Sequence, residues 1–142
     1  MIEKQPDRLY IENSDRVLYE ELEKEIFNSP DLKERKNQFF FALAIGFKSE
    51  IRQPLNSKDG FFRSEYLQPR DSALLDAIAI YSTDDVDVIT DRDMVFNIAE
   101  EYAHAGIRLL HDNVKSGQPG SYFKKLEIEI KSMLDTSEID QK

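Results

Sequence analysis

Residues 39–45 read FFFALAI, seven apolar residues in succession. A surface helix or a half-exposed strand keeps one polar face, and this run has none. The chain must therefore fold so that other elements surround the segment. A buried strand is the rival to a helix here. The preceding LKERKNQ is helix-forming, Ser29 suits a cap and Pro30 a first helical position, so one helix from there to Gly46 is the better reading.

A partner for that block is written further along. Thr90 and Asp93 form a T-x-x-D capping box, opening a helix that runs to about Lys115 and stops at Gly117. On a wheel of 100° per residue, Val95, Phe96, Ile98, Ala99, Tyr102, Ala103, Gly106, Ile107 and Leu110 share about half the circumference. Gly106 lies near the centre of that arc with Ala99 and Ala103 beside it. Glycine inside a helix costs about 0.5–1 kcal/mol relative to alanine. A close approach of the FFFALAI helix is the packing reason that justifies it.

The remaining segments fill out a mainly α-helical fold class: a single compact bundle of about five helices. Ser14 can cap a first helix over about residues 15–27, where Leu18, Leu22 and Ile26 recur every four residues. Residues 47–69 break the pattern with Pro54, NSKDG and Pro69, which predicts an irregular connector with a short hairpin around Asp59-Gly60. A third helix follows over about 70–82, apolar on most faces apart from Asp76. A fifth, over about 120–134, places Tyr122, Leu126, Ile130 and Met133/Leu134 on one stripe. Residues 1–13 read as a polar, weakly ordered lead-in, 14–135 as one domain, and 136–142 as a fraying tail.

Composition closes off some chemistry. There is no cysteine, hence no disulfide, thiolate zinc site or cysteine nucleophile. The N-terminus has no apolar signal core and no run approaches a membrane span, so a soluble cytoplasmic protein is expected. A net charge of −9 opposes whole-surface affinity for phosphate backbones, leaving nucleic acid only a local basic patch. No phosphate-binding loop, dinucleotide fingerprint or nucleophile elbow is present.

Three groups of side chains are candidate sites. Glu100, Glu101, His104 and His111 lie on the polar half of the long helix, and Glu101-x-x-His104 resembles half of a di-iron carboxylate motif. Such sites need inward-facing ligands and a second copy, so this face reads as solvated, with no cofactor or metal expected. Residues 47–70 hold Lys48, Arg52, Lys58, Arg63 and Arg70 against Glu50, Asp59 and Glu65, a local balance of +2. Phe47, Phe61, Phe62 and Tyr66 interleave with them. That mixture can hold nucleic acid by phosphate contact and stacking. It serves equally to contact a protein partner or to seal the connector onto its own core, Phe62 and Tyr66 included. Asp76 should pair with an arginine or a backbone amide, and Arg63 or Arg70 would serve. The acidic turn Asp84, Asp85, Asp87, Asp91, Asp93 lacks the spacing of a calcium loop.

The order of FFFALAIGF, FFRSEYL, ALLDAIAIYSTDDVDVI and FNIAEEYAHAGIRLLHD resembles the small proteins called Dnd system-associated protein 4, found beside bacterial DNA phosphorothioation genes. The similarity runs from about residue 30 to residue 115, strongest over Ala73–Ile89 and Ile98–Leu110. It implies a prokaryotic cytoplasmic protein of a DNA-modification and phage-restriction module, and it carries over no catalytic residue. The resulting expectation is a non-enzymatic accessory subunit that contacts a larger protein. A nucleic-acid binder using the connector is the alternative, and a metal-dependent enzyme on the Glu100/His104 face is the third reading.

Overall fold

A computed structural model describes residues 4–116 and, beyond them, Ile128 and Lys131. Residues Met1–Leu110 form one compact unit and His111–Lys142 a second. The fold is mainly helical. In chain order it contains β1 (Arg8–Glu12), α1 (Arg16–Glu25), α2 (Arg35–Lys48), β2 (Lys58–Arg63), α3 (Pro69–Thr83) and α4 (Arg92–Ser116). Of the expected helix over 120–134 only Ile128 and Lys131 are described, both helical, and the tail over 136–142 lies outside the described residues.

The centre of the first unit is α4. Residues 102–107 are buried without interruption, which an amphipathic helix would not permit. On one side α2 crosses it backbone to backbone. A Cβ on Gly106 would sit 1.8 Å from the Ala42 carbonyl oxygen, and one on Gly46 2.0 Å from that of Tyr102. The expected small-residue seam is therefore the α2–α4 contact. Gly46 does not end α2, which continues to Lys48; it is the second half of the same crossing.

The largest departure from expectation is the N-terminal lead-in. Residues 8–12 form a strand in which Leu9 and Ile11 are buried. It pairs antiparallel with β2, Arg8 facing Arg63 and Glu12 facing Lys58. No hairpin forms at Asp59-Gly60, because both residues lie inside β2 and their strand partner comes from the other end of the unit. Between Leu9 and Tyr10 the register shifts, leaving Phe61 as an extra residue on β2. The bulge breaks the alternation of faces, so Phe61 and Phe62 are both buried. Phe61 lies 4.5 Å from Tyr19 of α1 and Phe62 5.5 Å from Phe39 of α2, ring centre to ring centre.

Local signals were followed with small shifts. Pro30 opens a short 3-10 turn, Pro30–Leu32, and α2 begins after it at Arg35. Gln68 and Asp71 make a reciprocal capping box for α3. Asp91, not Thr90, caps α4: its carboxylate accepts from the Met94 amide at 3.1 Å, while the Thr90 hydroxyl donates to the Asp87 carbonyl. That carboxylate reaches the third amide of the helix. Ser14 caps nothing; its hydroxyl accepts from Arg108.

Candidate functional site

The polar half of α4 is not the wet face expected of it. Glu100 is 2% exposed and His104 7% exposed, because β1 and the turn Asn13–Asp15 lie across them. An outer strand edge leaves amide donors without partners. Here the Tyr10 amide donates to Glu100 at 2.9 Å, and Lys58 donates to the other oxygen at 3.1 Å. One turn further, His104 Nδ1 stands 2.5 Å from the fully buried carboxylate of Asp15, which also receives Arg108 Nε at 3.2 Å. Glu12 completes the row by accepting the amides of Asn56 and Ser57 at 2.6 and 2.9 Å.

Burial pushes the Glu100 carboxyl above the usual range, although the Tyr10 amide and Lys58 pull it down. Burial likewise raises Asp15 against the pull of His104 and Arg108. Glu12 moves the other way, held low chiefly by the Asn56 amide. These groups fasten the N-terminal strand and its turn to α4. Among the described residues they form no metal-ligating cluster with Glu101. Glu101 is tied to Arg52 at 3.3 Å and to Asn97 at 3.0 Å, and His111 lies in the second unit, 3.9 Å from Asp112.

Asp76 has the arginine partner expected of it, but from another element. Arg92, not Arg63 or Arg70, donates to it at 2.8 Å. The first turn of α4 packs beside α3, a proximity that chain order does not reveal.

A concave surface forms elsewhere. A groove of about 640 Å³ is lined by Arg8, Arg35, Lys36 and Arg63, with one carboxylate, Glu34, and by Phe61, Phe62 and Tyr66. β1, β2, the start of α2 and the turn Ser64–Tyr66 each contribute. Arg35 lies over the Phe61 ring at 5.3 Å and donates to the Phe61 carbonyl at 3.3 Å. Lys36 donates to the Tyr66 carbonyl and to Asp71. Tyr66 is 62% exposed at the rim.

The connector candidates divide accordingly. Arg63, Phe62 and Tyr66 meet at the groove, with Phe62 largely consumed by the core. Lys58 and Arg52 are drawn away to Glu100 and Glu101. Lys48 is exposed in the last turn of α2 and Arg70 in the first turn of α3, neither lining the groove. Arg8, Arg35 and Lys36 were not singled out in the sequence. The alternation in RLYIE was the available sign of a strand, and without that strand nothing brings Arg8 to Arg63.

Compared with known proteins, the chain matches the family model for DNA sulphur modification system-associated protein 4 over residues 8–141. It belongs to that family. The match starts at the first residue of β1, so the family pattern includes the strand that closes over α4. No curated protein and no solved structure matches the chain. Among the described residues, no helix is long and apolar enough to cross a membrane.

Proposed function

We propose that the protein is a non-enzymatic, cytoplasmic accessory component of a prokaryotic DNA sulphur modification system serving phage defence, and that it acts by docking onto a larger protein of that system. The observation that carries this reading is α3. The helix is apolar on nearly every side, yet only Leu75, Ile78 and Ala79 are buried. Arg70, Ala73, Leu74, Ala77 and Tyr81 fall within about 100° of one another on a helical wheel, and all five are exposed. Leu74 is 48% and Tyr81 64% exposed, and Val86 just beyond the helix 67%. A contiguous apolar surface of this kind marks a contact site more often than it lies idle in water.

The acids and imidazole that would serve catalysis support the same reading, since Asp15, Glu100 and His104 are engaged in holding β1 and its turn to α4. Family membership supplies the class of partner. A tagged chain, expressed in cells that carry a complete DNA sulphur modification system, is expected to retain other components of that system through purification. Leu74→Glu with Ala77→Glu should release them while the melting temperature stays near that of the parent. A chain that emerges alone from such cells overturns the proposal.

A further inference from the structure

The groove is separate from the exposed face of α3 and asks for a different ligand. We propose that it binds a single nucleic-acid strand, with Arg8, Arg35 and Arg63 taking phosphates and Tyr66 stacking on a base, while Lys36 stays paired with Asp71 in the wall. The first ground is uncompensated charge. Arg8 and Arg63 are direct cross-strand partners, and like charges in that relation destabilise a sheet. Among the described residues no carboxylate pairs with Arg8, and Arg63 has only Glu65 at 3.7 Å, with both side chains more than 60% exposed. A chain of net charge −9 thus keeps two adjacent guanidinium groups open to solvent at one place.

The second ground is the pairing of that charge with aromatic surface. Phe61 forms part of the groove wall, and the Tyr66 ring is exposed beside it. Cations that track a backbone, next to rings on which bases stack, are the usual equipment for single-strand binding. An exposed ring gives an acidic protein segment little that a base would not exploit better. The third ground is the negative charge elsewhere. A rigid duplex would bring its second strand against the acidic surroundings, including Asp7, Glu34 and Glu65 at the groove margins. A flexible single strand can stay within the groove.

Fluorescence anisotropy with the full chain and a labelled oligothymidylate of about 12 nucleotides tests this. Three phosphate contacts should weaken binding roughly 20-fold between about 50 mM and 200 mM salt, from a slope of about 0.7 per phosphate on single strands. Arg8→Gln with Arg63→Gln should remove about two-thirds of that salt slope. Tyr66→Ala should weaken binding about tenfold; its exposure lets it serve as the readout if the arginine variant fails to fold. Leu74→Glu with Ala77→Glu should leave strand binding intact, which keeps this test distinct from that of the α3 surface. Absence of binding at the lower salt overturns the proposal, as does equal affinity for a duplex of the same length. Tighter binding of polyglutamate than of the oligonucleotide would assign the groove to an acidic protein instead.

Discussion

The two sides of α4 are both buried, and they are buried by opposite means. Toward α2 the helix presents Gly106 and the Tyr102 main chain, and the contact is made by removing side chains until two backbones touch. Toward β1 it presents Glu100, His104 and Arg108, and the contact is made by giving each polar group a partner. The first kind of burial depends on shape alone and tolerates no added atom. The second depends on charge and hydrogen bonding, and it survives only while every partner stays in place. An apolar stripe opposite a polar stripe therefore does not settle which side of a helix meets water.

The sharpest way to break this comparison is at the glycines. Gly106→Leu should destabilise the protein by at least about 3 kcal/mol, the upper range for overpacking, because the group it strikes is a main-chain carbonyl that cannot rotate away. Even Gly106→Ala should lose stability in urea titrations, against the gain of about 0.5–1 kcal/mol that alanine brings to an unobstructed helix. A Gly106→Ala variant as stable as the parent would mean that α2 and α4 are further apart than described.

On the opposite side, Asp15→Ala would leave His104 enclosed and Arg108 without its carboxylate. Losing one member of a buried pair costs about 3 kcal/mol or slightly more. Half of the Arg108 side chain reaches solvent, so the effect should be smaller than that of Gly106→Leu. Urea midpoints for the two variants, measured together, rank the two kinds of contact. If Asp15→Ala melts like the parent, the polar side of α4 is wet after all.

The smallest effect separates the acids from one another by pH. The folded protein holds the Glu12 carboxyl below its usual range. The stabilisation this gives is present above the ordinary glutamate range and is lost as pH falls through the lowered value. Glu100 is raised by burial, so its contribution is full at acid pH and is lost as pH rises through the raised value. Melting curves between about pH 3 and pH 7 should therefore show opposite trends. The advantage of the parent over Glu12→Gln should widen with rising pH, and its advantage over Glu100→Gln should narrow. Parallel trends would show that the two acids share one environment.

Which features were legible in the sequence follows from the distance over which their causes act. Helices α1 to α4 are written in local periodicity and punctuation; their ends moved by a few residues, most at the start of α2, where Pro30 opens a separate turn. The Gly106 seam was legible because residue size and position on the wheel are local properties. The hairpin at Asp59-Gly60 was a sound local inference that lost to a strand at the other end of the unit. Once that strand and its turn are placed, the burial of Glu100 and His104 follows. Tyr10 reaches Glu100 across 90 positions and Asp15 reaches His104 across 89, and no pattern within a helical window announces such a partner.

By itself, then, the order of residues determined a mainly helical unit built on an α2–α4 crossing, along with the kinship of the chain to a DNA sulphur modification family. Only the tertiary structure decided that Glu100 and His104 of α4 are fasteners, and that the open cations gather at Arg8, Arg35 and Arg63. The physical reason is that helix formation and close packing are governed by neighbours along the chain. The solvation of a charge is governed by whatever the fold lays over it.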